Sequence, residues 1–444
     1  MKAVFCLTIA AAALGIYADS ASAQPRPERP YRGLFASGVS ADAVHVVTSN
    51  ASVASGYDTS VLAEAAESLS GTSGPLTASS NGGYLRFSEN ISYEMNKERV
   101  NIGANGSLSA SYYPTVGNDI VTSYGGGFGA SWSPTTRTQF SANQSVSYHP
   151  FTMYSLLPVV GPETLGAAFV PDLDYSSLGN RYLSYETGVS ASRQFSARNS
   201  LTGSYAYHRS NFASSALYPD FDSQSGNIRF LRTLNASFAL RLGYGYTEAE
   251  HGVGQQNVAQ HLIDTGVDFN RTLSFSRRTK LTFSTGATAT SHRGSTHFNA
   301  IGTAALNREI GRSWNLNAAY NRNVGLVETF LSPVVYDSAQ ATLGGLIARS
   351  LSFQAGAGVV FGNAGFGDQP DGGFNSYSAS ASVSRALTRF LSLSVEYAFY
   401  RDDFQESALL PTDFTRDLSR HSVRASVNAW VPLLQHGRRR DASR

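Results

Sequence analysis

Residue types that support catalysis or metal binding are present in this chain, but their spacing does not meet the usual requirements. Nucleophilic catalysis needs a serine that an adjacent histidine activates, and no Gly-x-Ser-x-Gly turn occurs among the many serines. The histidines form neither a His-x-His pair nor a His-Glu-x-x-His motif, which argues against a zinc site. The glycine- and aspartate-rich stretch at 365–373 lacks the complete ligand spacing of a calcium loop. We therefore predict that the protein is not an enzyme and uses neither a metal nor a cofactor.

Charged residues occur instead at alternating positions within stretches that are predicted to be β-strands. This set comprises Arg86, Glu186, Arg229, Arg241, Asp264, Asp268, Glu396 and Arg424. Successive side chains of a strand point to opposite faces, and these residues share the polar face, so we expect them to line the lumen of a barrel. Their charges have mixed sign, which predicts weak ion selectivity at most. Pairing across the lumen, which would brace the wall, is the interpretation that we favour.

The elements that position these residues are amphipathic strands separated by tight turns. At 391–400, for example, Leu391, Leu393 and Val395 alternate with two serines and Glu396. Tight arginine-containing turns recur at 133–137, 196–199, 232–235, 276–279, 309–312, 348–350 and 386–389, and a less regular one lies at 96–99. Short turns on one side and longer loops on the other are typical of a transmembrane antiparallel up-and-down β-barrel of the bacterial outer membrane. Counting the eight short turns, each of which joins two strands, and adding one strand at each end predicts about 18 strands. The alternative is 16, because the first strand is polar and could be miscounted.

Aromatic residues recur near both ends of the predicted strands. Near the short turns lie Trp132, Phe140, Phe195, Phe230, Phe275, Phe283, Trp314, Phe353 and Phe390. At the far ends lie Tyr148, Tyr207, Tyr246, Tyr320 and Tyr400. Amphipathic rings prefer the level of the lipid headgroups, so this spacing predicts two girdles that flank a membrane-spanning band.

The termini predict export from the cytoplasm. Lys2, an apolar run from Ala3 to Ile16 and the small residues Ala21-Ser22-Ala23 have the features of a secretory signal peptide at 1–23, with cleavage after Ala23. A proline-rich periplasmic lead-in at 24–42, a barrel at 43–434 and a basic C-terminal tail at 435–444 would follow. The only cysteine, Cys6, falls within the predicted signal, so disulfides and cysteine-ligated metals are not expected.

The longest connection, from Pro150 to about Asn180, follows the fifth predicted strand. In this position the chain resembles the general bacterial porins, whose long third loop follows strand five and folds inward to narrow the pore. The resemblance implies a constriction loop in which Glu163, Asp172 and Asp174 line the narrowed pore. A surface cap or a partner-binding loop is the alternative. No residue-level motif accompanies this resemblance.

A second resemblance involves Tyr31-Arg32-Gly33-Leu34-Phe35 and the later segment from Ser55 to Val61. Both are similar to segments of uncharacterised barrels associated with exopolysaccharide export, and this similarity implies polysaccharide passage as one possible function. An outer-membrane channel for small hydrophilic solutes is the function that we expect. An exopolysaccharide conduit and a structural or adhesive surface barrel are the alternatives. Expected partners are outer-membrane lipid and the barrel assembly machinery, with a homo-oligomer left open; the net charge of +2 gives no support to nucleic-acid binding.

Overall fold

The structure is a computed structural model of a single chain. It describes residues 43–59, 81–114, 119–150, 181–212, 220–252, 257–273, 276–292, 295–325, 333–364, 372–404 and 417–438. Within these ranges, no helix is long and apolar enough to cross a membrane. The predicted signal peptide, the lead-in and the constriction-loop residues Glu163, Asp172 and Asp174 lie outside the described residues.

The described residues form eighteen β-strands, in agreement with the larger predicted number. The strands are β1 (Ala43–Asp58), β2 (Gly82–Asn96), β3 (Val100–Tyr113), β4 (Asp119–Thr135), β5 (Thr138–Pro150), β6 (Arg181–Ser196), β7 (Asn199–Phe212), β8 (Phe221–Thr233), β9 (Phe238–His251), β10 (Asn257–Leu273), β11 (Ser276–His292), β12 (Ser295–Ile310), β13 (Trp314–Gly325), β14 (Val334–Ala348), β15 (Leu351–Ala364), β16 (Gly372–Ala386), β17 (Leu391–Phe404) and β18 (Asp417–Arg438).

Closure of the sheet makes the fold a barrel. Each strand pairs antiparallel with the next one along the chain, and β18 returns to pair antiparallel with β1. At this seam, Ala43 lies opposite Arg438 and Asp58 lies opposite Ser422. A closed sheet pairs its backbone N–H and C=O groups between strands and leaves no edge exposed. The predicted up-and-down barrel is therefore confirmed, with eighteen strands rather than sixteen.

The two ends of the barrel differ in how the strands are connected. The short turns, such as those that join β4 to β5 and β6 to β7, lie at one end, which we call the turn end. β1 begins and β18 ends at this end as well. The opposite end, which we call the loop end, carries most of the longer connections, including the one between β5 and β6.

Strand alternation separates apolar from polar side chains, as the sequence predicts. In β17, Leu393, Val395 and Tyr397 are each more than 40% exposed, whereas Ser392 and Tyr400, at even-numbered positions of the same strand, are buried. Nothing in a lone chain covers the outside of a barrel, so the exposed apolar face is the outer face. The alternate side chains, many of them buried, belong to the inner face.

The turn between β8 and β9 lies later than the predicted position at 232–235. Thr233 still belongs to β8, and β9 begins only at Phe238. The Asn235 side chain accepts hydrogen bonds from the backbone N–H groups of Ser237 at 2.9 Å and of Phe238 at 3.0 Å. An asparagine that binds the backbone two residues later holds a local turn, which displaces the start of the strand.

The predicted turn at 276–279 is wrong, because those residues form the beginning of β11. Leu273 lies opposite Ser276, and Thr279 already pairs with Arg308 of β12. The polar run Ser-Arg-Arg-Thr was misread because the exposed end of a strand and a turn have similar compositions.

The last strand continues beyond the predicted strand end at 434. β18 reaches Arg438, and its final residues pair with β1, with His436 opposite His45. The beginning of the segment assigned to the basic tail is therefore extended and paired, because β1 offers a complementary edge there.

Candidate transport lumen

The middle of the inner wall is covered by hydroxyl side chains that bind one another across neighbouring strands. Ser52 and Ser88 lie 2.6 Å apart, as do Ser109 and Ser123. Equivalent contacts join Ser141 to Ser190 at 2.7 Å and Ser284 to Thr303 at 2.8 Å. Directly opposed side chains in an antiparallel pair are close enough for such bonds, and each hydroxyl keeps further hydrogen-bonding capacity for water. The wall is therefore polar without carrying net charge.

A cavity of about 490 Å³ follows this wall across β1 to β5. Hydroxyl groups such as Ser88 and Ser109 line it, together with the amides of Asn50 and Asn90. Arg86, one of the predicted lumen residues, lines the same cavity. The lining offers hydrogen-bond donors and acceptors to a hydrated solute.

Four of the predicted lumen residues form one ion-pair network on β8, β9 and β10. Arg229 Nε donates to Asp264 Oδ2 at 2.6 Å, and Arg241 donates to both Asp264 and Asp268. The Arg241 and Asp264 side chains are 5% and 7% exposed, so both charges are almost fully removed from water. Charges buried to this extent are stable only when they are paired and hydrogen-bonded, and here each charge has a partner of opposite sign.

The same network fills an interruption in the barrel wall. The ladder between β10 and β11 breaks between the pairs Ile263–Ala287 and Phe269–Phe283, with five residues on β10 opposite three on β11. Arg241 Nη2 donates to the Thr285 carbonyl oxygen at 2.6 Å within this interruption. The arginine of β9 thus reaches past β10 and satisfies a backbone acceptor of β11 that has lost its ladder position.

The remaining predicted lumen residues also lie on the inner face. Arg424 Nη2 donates to Glu396 Oε2 at 2.6 Å, which joins β18 to β17. Glu186 on β6 is buried, and it lies opposite Ser145 of β5 and His208 of β7. The ion pairs of the described residues therefore run along the wall between nearby strands, not across the lumen, because a side chain reaches one or two strands along the wall but does not span the barrel diameter.

A second buried ion pair lies at the loop end of the seam and was not anticipated from the sequence. Arg420 of β18 donates to Asp58 of β1, with Nε 2.7 Å from both carboxylate oxygens. Asp58 is fully buried, and the Arg420 side chain is 6% exposed. The residues are 362 positions apart in the chain, so only barrel closure brings them together.

Aromatic side chains at the loop end of the inner face form a further group that was not predicted. Three pairs of rings are in contact between adjacent strands: Tyr84 with Tyr113, Tyr182 with Phe212, and Phe374 with Phe404. Tyr400, which was predicted to join the outer girdle, is buried on this inner face as well. The sequence did contain a signal for this group, because each of these aromatic residues occupies an alternate position on the polar face of its own strand.

The predicted constriction residues Glu163, Asp172 and Asp174 stay a prediction, since they lie outside the described residues. Within the described strands, no group of three or more histidine, aspartate, glutamate or cysteine residues is arranged to hold a metal ion.

No protein-family model and no curated protein sequence matches this chain. Solved structures from Pseudomonas aeruginosa are similar in fold. OccK2 (OpdF), crystallised with glucuronate, is 10% identical, with 88% of this chain and 98% of that chain covered and a TM-score of 0.45. OpdL is also 10% identical, with 88% and 99% covered and a TM-score of 0.45. OccK7 (OpdD) is 10% identical as well, with 89% and 100% covered and a TM-score of 0.45. At this identity and TM-score, the similarity assigns no substrate to the chain, and the porin-like barrel rests on its own strand pairing.

Proposed function

We propose that this protein is an outer-membrane channel that passes small hydrophilic solutes through a polar lumen. The observation that carries the proposal is the contrast between the two faces of one closed wall. The outer face exposes large apolar side chains such as Val53, Leu393 and Val427. The inner face carries the bonded hydroxyl groups of pairs such as Ser52–Ser88. This contrast suits a wall with hydrocarbon on one side and water on the other.

The strand lengths support the membrane location. The strands contain between 12 and 22 residues, and tilted strands of about 9–11 residues suffice to cross the hydrocarbon core. The stacked rings of Trp132 and Phe140 lie on the outer face near the turn end, 5.6 Å apart, where an aromatic girdle is expected. Exposed apolar side chains in this number would promote aggregation of a water-soluble protein, whereas lipid covers them in a membrane.

The size and the charge of the lumen support passage of hydrophilic solutes. Barrels of about 16–18 strands leave an aqueous interior unless something fills it. The network of Arg229, Arg241, Asp264 and Asp268 contains two positive and two negative groups, so it adds no net charge to the wall. Weak ion selectivity follows from this neutrality. We propose the eight predicted lumen residues as wall groups of this channel.

Export by the predicted signal peptide at 1–23 and insertion by the barrel assembly machinery are parts of the same proposal. Membrane fractionation of the producing cells tests the location. An intact mass of the membrane-bound protein that corresponds to a chain beginning at Gln24 tests cleavage after Ala23.

Liposome swelling tests the channel function directly. Liposomes that contain the refolded protein are placed in isotonic solutions of neutral sugars of increasing size, and the swelling rate is expected to fall with solute size. Ser88→Trp places a bulky ring on the inner wall and should slow swelling, whereas Val53→Trp on the outer wall should not. Swelling that never exceeds that of protein-free liposomes would contradict the proposal.

A further inference from the structure

Exposed arginines cluster at the turn end of the barrel on four neighbouring strands. We define the arginine patch as the exposed residues Arg137, Arg193, Arg198 and Arg232. Arg193 lies on β6 and Arg232 lies on β8, whereas Arg137 and Arg198 lie in the turns that precede β5 and β7. The strands β5 to β8 are consecutive neighbours in the sheet. The positive groups therefore belong to one stretch of the wall.

Backbone hydrogen bonds fix the order of the arginines within the patch. The residue after Arg193 donates its backbone N–H to the carbonyl oxygen of Arg137 at 2.7 Å. The residue after Arg232 donates in the same way to the carbonyl oxygen of Arg198 at 2.8 Å. Arg137 therefore lies beside Arg193, Arg198 lies beside Arg232, and only β7 stands between β6 and β8.

The part of the chain that carries the patch supplies no carboxylate to neutralise it. The sequence contains no aspartate or glutamate at 133–147, 187–207 and 223–247, and these ranges include the turn-end halves of β5 to β8. Within the described strands and turns, no ion pair includes any of the four arginines. The patch is therefore a local excess of positive charge.

Arginines of the outer face at the loop end are arranged differently. Arg209 of β7 lies 3.6 Å from a carboxylate oxygen of Asp222 on β8. Arg322 of β13 lies 3.0 Å from a carboxylate oxygen of Asp337 on β14. The chain thus provides the counter-charge for these arginines at the loop end, whereas at the arginine patch the counter-charge has to come from outside the chain.

The patch borders exposed aromatic rings of the outer face. Arg193 precedes Phe195 by two positions, and Arg232 follows Phe230 by two positions, so each arginine shares the outward face with a ring. Phe195 and Phe230 are both exposed. The guanidinium carbon of Arg193 lies 5.6 Å from the centroid of the Phe195 ring, in a cation–π contact. Aromatic rings at the end of a membrane-spanning wall mark the headgroup level, so the guanidinium groups lie where hydrocarbon gives way to headgroups.

We propose that the arginine patch binds the phosphate groups of anionic phospholipids in the periplasmic leaflet, with the acyl chains packed on the apolar outer face beside it. The planar guanidinium group donates paired hydrogen bonds that fit a phosphate, and clustered arginines attract anionic lipid. The periplasmic leaflet follows from the short turns, which lie on that side of outer-membrane barrels. The inference rests on the proposed membrane location and goes further, because it names a lipid class and its place on the wall.

Quenching of tryptophan fluorescence by brominated lipids tests the lipid preference at the patch. Trp132 lies on the outer face at the turn end and stacks on Phe140 of β5, so it reports the lipids that surround this part of the wall. Trp314→Phe/Trp430→Phe leaves it as the single reporter. The protein is refolded into mixed bilayers in which either phosphatidylglycerol or phosphatidylcholine carries the bromine atoms. Phosphatidylglycerol should be preferred several-fold at Trp132.

Two sets of substitutions in this reporter separate the patch from the overall charge. The patch variant is Arg137→Gln/Arg193→Gln/Arg198→Gln/Arg232→Gln. The matched control removes the same number of exposed arginines from another part of the turn end, and it is Arg312→Gln/Arg349→Gln/Arg385→Gln/Arg389→Gln. Heat-modifiable gel mobility establishes that each protein is folded. The preference should disappear in the patch variant and persist in the control.

The source of the phosphate is tested by repeating the quenching in sodium phosphate and in sodium chloride of equal ionic strength. An equal preference for phosphatidylglycerol in the two salts would support a lipid site. A preference that is lost only in sodium phosphate would show that the patch binds free phosphate, which would overturn the proposed lipid site.

Liposome swelling with the same proteins separates this inference from the channel function. Equal quenching by the two brominated lipids in the folded reporter, or an equal loss of preference in the patch variant and the control, would overturn the lipid site. Swelling that persists in that case would leave the channel function standing. A lipid preference that requires the patch, in liposomes that do not swell, would support the lipid site and overturn the channel function.

Discussion

Replacement of Arg241 by methionine tests whether the ion-pair network holds the interrupted wall together. The substitution keeps a long apolar stem and removes the guanidinium group, which donates to Asp264, Asp268 and the Thr285 carbonyl oxygen. Two carboxylates and one backbone acceptor then lose a donor at the same time. The network therefore predicts a large loss of stability from one side chain.

The magnitude follows from the burial of the partners. Removal of one member of a buried ion pair typically costs about 3–5 kcal/mol, since the remaining charge is left uncompensated. Arg229 stays 2.6 Å from Asp264, and the Asp268 side chain is 23% exposed, so both carboxylates retain some stabilisation. The Thr285 carbonyl loses its donor, which adds about 1–3 kcal/mol if the oxygen stays unsatisfied. We expect Arg241→Met to lower the free energy of unfolding by about 3–5 kcal/mol in total.

The assay is urea unfolding of the protein refolded into lipid vesicles. Trp132, Trp314 and Trp430 report unfolding by fluorescence, and the shift in the midpoint at an unchanged slope gives the loss of stability. Arg322→Met is the matched control, because Arg322 pairs with Asp337 at 3.0 Å but the two side chains are 44% and 33% exposed. Exposed pairs contribute about 0–1 kcal/mol.

Equal losses in Arg241→Met and Arg322→Met would refute the assignment of a structural role to the buried network. Recovery of stability in a double variant provides a second criterion. Adding Asp268→Asn to Arg241→Met removes one of the uncompensated charges, so the double variant should be more stable than Arg241→Met. A double variant that is less stable would show that the carboxylate is not destabilising in the absence of the arginine.

The same urea titration tests three further substitutions. Asp58→Asn leaves Arg420 buried without its carboxylate and should cost about 3 kcal/mol. Gly266→Ala directs a Cβ into the Thr285 carbonyl oxygen at the wall interruption and should cost about 1–3 kcal/mol. Val395→Arg, on the exposed outer face of β17, should cost about 2–4 kcal/mol because the charge meets hydrocarbon.

Each of these substitutions has a control in the same chain. Asp402 is also fully buried, but its carboxylate forms no ion pair among the described residues, so Asp402→Asn should not lower stability. Gly106 has open space around its Cβ position, and Gly106→Ala should stay within about 0.5 kcal/mol of the wild type. Ser394→Arg points into the lumen and should cost only about 1 kcal/mol through the lost hydrogen bonds to Ser426 and Asn428. A control that loses as much stability as its paired substitution would contradict the reason given for that pair: the ion pair of Asp58, the steric overlap at Gly266 or the outward position of Val395.

The strands were predictable because the information that specifies them is local. In β17, the alternation of Leu393 and Val395 with the serines between them requires only that one face meets lipid and the other does not. A strand that slips by one residue would invert every side chain, so the pattern is strict. The number of strands followed from the same signal. The turn boundaries near 232–235 and 276–279 were less predictable, because polar residues occupy turns and exposed strand ends alike.

The inner and outer faces were also predictable, and the eight predicted lumen residues occupy alternate positions on the polar faces of their strands. The contacts that these side chains make were not predictable. The sequence favoured pairing across the lumen, whereas Arg241 reaches past its neighbouring strand to Thr285 and Arg424 binds Glu396 beside it. These contacts depend on the register of each strand pair and on the interruption between β10 and β11, neither of which leaves a periodic signal.

By itself, the sequence determined the fold class, the strand order and the side of the wall to which most residues belong, because alternation is a property of each strand alone. The tertiary structure decided the features that require closure. Asp58 meets Arg420 only because β18 returns to β1, across 362 positions of sequence. The inward-facing aromatic pairs of the loop end share one interior for the same reason, because only a closed wall turns separate strands toward it.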